Sequence, residues 1–347
     1  MRRVETLIII LAAGFYVWFL RHFGAGEVGH FVRMAGWGLL LTIELEAVAR
    51  IANTLGWRMT IEDCPRELGF GELFVARIAG EAVDYVTPSA QLGGQFVMAL
   101  MVRRKLAMAA GLATVIVAAL AEALGQIGFI SGALLTTLPF EARLHHLMWP
   151  VVGGFTIAVG LAAGFFYIQL KQPFSHLWRA AARFDVPHLA NPEIKAAAAE
   201  ADALLSDFYA HHRGRFFAAS TCYLVAWSMG PVEIFILLKL LHQPASWIVA
   251  LLVEGLGLLV ERTTFLIPAK LVSQEGGKAL ILSVLGYPAG VGFAIGFLRR
   301  IKEMAWVFLG LLGLMVHRLV TERQLRPIAA GRENVIEMQG VHGGESL

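Results

Sequence analysis

From residue 147 to residue 170 the chain runs without one charged side chain. A helix needs about 20 mostly apolar residues to cross the hydrocarbon core of a bilayer, and this run is long enough. Backbone polar groups in lipid must be satisfied internally, so a chain built from such runs spans as helices or as a closed barrel. Composition agrees with helices. Of the 347 residues, 57% are hydrophobic and 16% charged, against about 25% charged in soluble domains. Mean hydropathy is +0.65. Disorder, a collagen repeat and a disulfide scaffold are excluded.

Other apolar runs predict further spans: 4–20, 31–55, 106–130, 216–238, 246–260, 279–298 and 304–320. With 147–170 they make about eight hydrophobic segments of an all-α polytopic membrane protein. The Arg2-Arg3 start could imitate a signal peptide. No small-x-small cleavage site precedes the Phe15 to Phe19 aromatic run, so a retained first span is expected. Several spans carry charge: Glu44, Glu46 and Arg50 in the second, then Glu122, Glu233 and Glu254. These could face a cavity or bond a neighbouring helix, and Arg50 could snorkel to the surface.

Basic residues orient the early spans. Stretches 56–105 and 171–215 are rich in Lys and Arg, whereas 21–30, 131–146 and 239–245 carry one each. The N-terminus and the two rich stretches are therefore expected in the cytoplasm. After residue 245 the rule fails. Arg299, Arg300 and Lys302 form one cluster, Arg318 to Arg332 another, and a single expected span separates them. The chain reads as one transmembrane domain, 1–325, with halves at about 31–170 and 211–320. A cytoplasmic helical linker, 171–215, joins them, and a polar tail, 326–347, follows. Within the linker, Asn191-Pro192-Glu193 reads as a helix start. The pairs His145-His146 and His211-His212 read as interfacial, because no acid at helical spacing completes a metal-ligand set. Cys64 and Cys222 lie too far apart in sequence to suggest a redox pair. No nucleic-acid signature is present.

Two hydrophobic runs are broken by proline and glycine. The first, Gly80 to Gln95, holds Glu81, Asp84, Tyr85, Thr87, Pro88, Ser89, Gln91, Gly93, Gly94 and Gln95, with Arg77 one turn before Glu81. The second, Glu261 to Lys278, holds Arg262, Pro268, Lys270, Gln274, Glu275, Gly276 and Gly277. Glu81 to Pro88 and Glu261 to Pro268 have the same spacing, and the offset is 180 residues for both. A Gly-Gly pair follows each proline, three residues later in the second copy. The same offset carries 31–55 onto 211–235. Opposite directions for these spans make the repeat inverted. Proline removes a backbone donor, and paired broken segments point to a central site made by re-entrant helices. Half-helix N-termini there would suit an anionic group such as phosphate. These named residues are the candidate substrate site. They could instead be interface loops, with Arg77 and Glu81 merely an i,i+4 surface pair.

The segment Gly-Glu-Ala-x-x-Tyr-x-Thr-Pro-x-x-Gln-x-Gly-Gly, Gly80 to Gly94, resembles the lysylphosphatidylglycerol synthase transmembrane (flippase-like) family. Glu261 to Gly277 is similar to that family's later polar element. The family includes the membrane domain of the multiple peptide resistance factor and stand-alone proteins linked to hopanoid synthesis. The resemblance implies movement of a polar-headed lipid, whether anionic, aminoacylated or of hopanoid or polyprenyl type, across the bacterial inner membrane. With about 27 residues after the last expected span, no aminoacyl-transferase domain is expected. An integral membrane transferase using Glu81 or Asp84 and a non-catalytic partner of lipid-synthesis enzymes are the alternatives. No cofactor or metal is implied, and no Walker A motif offers ATP as a driver. The oligomeric state is left open.

Overall fold

The computed structural model describes residues 36–342 except 63, 88–91, 138–147, 184–190 and 264–272. Among the described residues it contains eleven α-helices and no strand. These are α1 Gly38–Thr60, α2 Phe70–Val86, α3 Leu92–Val102, α4 Met108–Thr137, α5 Met148–Gln169, α6 Pro173–Arg183, α7 Pro192–His211, α8 Arg213–Leu240, α9 Trp247–Thr263, α10 Ser273–Val284 and α11 Ala289–His342.

Four stretches are long and apolar enough to cross a membrane: Met108–Thr137, Val152–Gln169, Arg213–Leu240 and Gly290–Val320. The expected span 4–20 lies outside the described residues. The expected spans at 279–298 and 304–320 are not two spans. The first is cut between α10 and α11, and its second part runs on into one helix with 304–320. Arg299, Arg300 and Lys302 are therefore inside a helix, all at 11% side-chain exposure or less. They are interior residues and carry no topological signal, which is why the basic-residue count failed there.

α1 and α8 form the main seam and run antiparallel. Gly38 lies against Leu240 at one end, and Gly56 against the Tyr223 ring further along. α4 packs on both. Trp57 Nε1 donates to Thr114 Oγ1 at 3.3 Å, and Thr60 Oγ1 donates to the Thr114 carbonyl at 3.0 Å, tying α1 to α4. Arg215 of α8 donates to the Met59 and Ile61 carbonyls at 2.9 and 2.6 Å. It thereby satisfies orphan acceptors at the end of α1. In the linker, Asn191 caps α7 by accepting from the Glu193 N–H, with Pro192 at the first helical position. The buried Asp202 of α7 accepts from the Phe174 and Ser175 N–H groups and so caps α6.

Two helical hairpins complete the molecule. In the first, α2 and α3 run antiparallel. Asp84 meets Gly94, and Gly80 meets Met98. The base is tied by Lys105 Nζ, which donates to Glu72 Oε1 and to the Glu67 carbonyl, both at 2.6 Å. In the second, α9 and α10 are antiparallel, with Gly277 beside Val260. Its base is tied by the Tyr287 hydroxyl, which donates to the Pro244 carbonyl at 2.7 Å. The first base packs around Phe216, Ala219 and Tyr223, towards the N-terminal end of α8. The second packs around Leu240 and Leu241, at its C-terminal end. The hairpins thus enter from opposite ends of the α1–α8 seam.

The buried apolar residues divide accordingly. One cluster joins Trp57, Leu73, Val97, Val115 and Tyr223. The other joins Phe129, Ile234, Leu252, Leu282 and Leu298. α5 contributes almost nothing to either: Ile157 and Leu161 are 62% and 67% exposed. An uncharged helix with apolar side chains all round is stable only in an apolar solvent, and here that solvent is lipid.

Candidate functional site

Between the two apolar clusters lies a layer of charge. On α4, Glu122 falls between Ala121 of one cluster and Phe129 of the other. On α8, Glu233 falls between Tyr223 and Ile234. On α11, Arg299 and Lys302 fall between Leu298 and Leu314. These charges join others on α1, α2 and α9 in one ladder of alternating sign.

The ladder begins at Glu122, which accepts from Arg77 Nη2 at 2.7 Å. Arg77 Nε also donates to Glu81 at 2.7 Å, so the pair at i,i+4 is a rung of the ladder as well as a helix-face pair. Glu81 meets Arg50 of α1. Arg50 pairs with Glu46 at 3.0 Å. Glu46 meets Lys302 at 2.9 Å, and Lys302 meets Glu233 at 2.6 Å. Glu233 meets Arg299 at 2.8 Å, which ends on Glu254 at 2.7 Å. Five carboxylates alternate with four cations. Pairing is obligatory, because a lone charge in the apolar interior costs several kcal/mol.

Neighbouring groups extend the layer. Arg77 lies over the Tyr223 ring and donates to its hydroxyl at 3.4 Å. The Tyr85 hydroxyl donates to Glu303 at 3.0 Å and accepts from Arg300 at 3.4 Å. Arg50 stacks on the Trp306 ring at 4.9 Å. Two donors meet there without an acceptor among the described residues: Arg50 Nε and Trp306 Nε1, both buried.

The ladder is not equally closed along its length. Glu46, Glu81 and Glu122 side chains are 24%, 28% and 27% exposed, whereas Glu233 and Glu254 are 4% and 6%. The first half can therefore be reached from outside, and the second half is sealed.

Of the residues singled out in sequence, Arg77 and Glu81 are in the ladder, and Tyr85 borders it. Asp84 accepts from the Gly94 N–H at 2.7 Å. Its carboxylate thus occupies the N-terminal end of α3, where the sequence suggested an anionic ligand would bind. Thr87 turns back to the Val83 carbonyl at 2.7 Å. Gly94 lies at the closest approach of the two hairpin helices: a methyl on Gly80 would come 2.7 Å from the Gly94 carbonyl oxygen. Gly93 and Gln95 belong to the first turn of α3. In the second break, Glu261 and Arg262 lie near the end of α9, and Gln274, Glu275, Gly276 and Gly277 in the first turns of α10. Lys278 is 2% exposed. Pro88, Ser89, Gln91, Pro268 and Lys270 lie outside the described residues.

The site residues that sequence reasoning missed are mostly on α11. Arg299, Lys302 and Glu303 fall at i, i+3 and i+4, one helix face, within an apolar run. That spacing was the available signal. Glu46, Arg50, Glu122, Glu233 and Glu254 were noted singly, and nothing local says that they meet. Elsewhere, a groove of about 460 Å³ between α5, α7 and α8 is lined by Phe166, Leu170, Tyr209 and Arg213 among others. Burial pushes the Tyr209 phenol above its ordinary range, and its hydroxyl donates to Gln169. The groove is separate from the ladder.

No curated protein and no solved structure matches the chain. The family model for the lysylphosphatidylglycerol synthase TM region matches residues 6–313, a range that reaches every rung of the ladder. Membrane-crossing helices, a polar layer inside them and a match over most of the length lead to one assignment: the chain belongs to the lysylphosphatidylglycerol synthase transmembrane-region family, and its function concerns membrane lipid.

Proposed function

We propose that the protein is a lipid translocator, moving a polar-headed lipid across a bacterial inner membrane with its N-terminus in the cytoplasm. The observation that carries this reading is the charge ladder lying between two hairpins that enter from opposite ends of the α1–α8 seam. Intramembrane charges are costly and tend to line substrate paths. Hairpins of this kind support a re-entrant reading, since α3, at 11 residues, is about 17 Å long and cannot span the core. The helix order supports the inverted repeat. A shift of 180 residues carries α1 onto α8 and α2 onto α9. With the three extra residues it carries α3 onto α10 and α4 onto α11. In the known pattern, substrate sites lie where two such repeats meet.

The head group would enter beside Glu46, Glu81 and Glu122, the reachable carboxylates, while its tails stay in the bilayer. Arg50 Nε and Trp306 Nε1, buried donors with no acceptor among the described residues, would meet oxygen atoms of a phosphate or polyol once the helices part around the head group. The lipid leaves chemically unchanged, and the protein acts as a transporter rather than an enzyme.

The test is reconstitution in liposomes with labelled phosphatidylglycerol in one leaflet. Crossing without a change in lipid mass is expected, and Glu81→Gln or Trp306→Phe should slow it. A product of altered mass would instead identify a lipid-modifying enzyme. No crossing over a panel of anionic, aminoacylated and neutral lipids would overturn the reading.

A further inference from the structure

The corner where α7 turns into α8 is chemically distinct from the ladder. His212 is both the C-cap of α7 and the N-cap of α8. Its Nε2 lies 2.6 Å from Glu62 Oε1, on the connection after α1. Asp207, one turn back on α7, comes to the same place. One ligand-capable atom each from Glu62, Asp207 and His212 lies within 4.8 Å of the others. Asp207 stands at i,i+4 from His211, so helical spacing did offer this histidine pair one acid, contrary to the reading of the pair as merely interfacial. The structure completes the set across two elements about 150 residues apart in the chain.

The backbone on both sides is held. Arg215 grips the Met59 and Ile61 carbonyls, directly before Glu62. The His212 N–H donates to the Phe208 carbonyl at 2.9 Å, and its ring packs against Phe208. His211 Nδ1 contacts Asp207 Oδ1 at 2.9 Å. Ligating carboxylates are themselves held by hydrogen bonds from outside the shell, and His211 stands in that place beside Asp207. The two carboxylates, by contrast, are about half exposed, at 41% for Glu62 and 51% for Asp207. They can rotate to the spacing of about 3.3 Å that ligands keep around a cation bound at 2.0–2.1 Å.

We propose that this corner binds one divalent transition-metal cation of the zinc class, with Glu62, Asp207 and His212 as ligands and water completing the shell. One imidazole with two carboxylates favours such a cation over magnesium, whose ligands are oxygens. The bound cation clips the linker helices to the end of α1. This inference is independent of lipid translocation, and either can fail without the other.

The experiment uses the full chain, purified in detergent and stripped with a chelator. Titration with zinc alone, followed by metal analysis after desalting, should give one equivalent per chain. A hundredfold excess of magnesium should not displace it. Cobalt in place of zinc should give visible d–d bands of a low-symmetry nitrogen/oxygen site, a readout that needs no variant. Glu62→Gln and His212→Asn should each weaken zinc binding at least tenfold, whereas His145→Ala should not. Absence of a stoichiometric equivalent, or binding unchanged in both ligand variants, overturns the proposal and leaves His212 and Glu62 as a simple ion pair.

Discussion

At Glu233 two cations converge on one carboxylate, Arg299 at 2.8 Å and Lys302 at 2.6 Å, with the acid side chain only 4% exposed. Glu233→Gln removes the charge but keeps the volume, so both cations lose a partner where water cannot replace it. Breaking a buried pair in this way costs about 3–5 kcal/mol. The thermal midpoint of the detergent-solubilised protein should fall clearly. Glu72→Gln provides the contrast. Its partner Lys105 and the acid itself are 35% and 53% exposed, and exposed pairs contribute at most about 1 kcal/mol. The midpoint should then hardly move. If both substitutions behave alike, the ladder is in contact with water and the interior reading of α11 is wrong. Trp306→Phe keeps an aromatic ring under Arg50 but removes the free N–H together with part of the indole. The lost ring volume should lower the thermal midpoint modestly, and lipid movement should slow by more than an equally destabilising substitution elsewhere in the core would cause. Slowing in proportion to the lost stability alone would mean a packing role.

At the scale of elements, the first hairpin depends on a contact too close for side chains. Gly94→Ala sets a methyl against the Gly80 carbonyl and the Asp84 carboxylate, and α3 must shift away from α2. Overpacking of this kind costs about 1–3 kcal/mol. Proteolysis or hydrogen exchange should show α3 loosened before the α1–α8 seam. The glycine pair was legible in sequence as a break in an apolar run. Its use was not fully legible: the sequence suggested an open helix N-terminus for an anion, but Asp84 fills it. Pro/Gly punctuation locates a break without saying which side chain turns back into it. The helix start at Asn191-Pro192-Glu193 was legible in full, because capping is local chemistry. The basic cluster from Arg299 to Lys302, set between the expected spans 279–298 and 304–320, was not legible as helix interior for the opposite reason. Arg299 and Lys302 are compensated by Glu233, Glu254 and Glu46, residues at least 45 positions away, and hydropathy over a short window cannot register them.

For the molecule as a whole, the arrangement of the hairpins makes a topological prediction. Single cysteines placed at Glu72 and at Pro244, the two hairpin bases, should be labelled by an impermeant thiol reagent from opposite faces of the membrane. Glu72→Cys should react in inside-out vesicles and Pro244→Cys in right-side-out vesicles. Labelling of both from one face would mean that the hairpins are not inverted. The opposite directions expected for the spans 31–55 and 216–238 agree with α1 and α8 running antiparallel, because the alternation of spans along the chain is order that hydropathy does carry. The ladder has a further consequence for synthesis of the chain. Residues 46 to 122 contribute three carboxylates and two cations to it, and residues 233 to 302 contribute two of each. Each half therefore neutralises nearly all of its own charge. The first half can settle in the bilayer during translation with a single surplus acid, and it waits for Lys302, some 250 residues after Glu46, to complete the pairing.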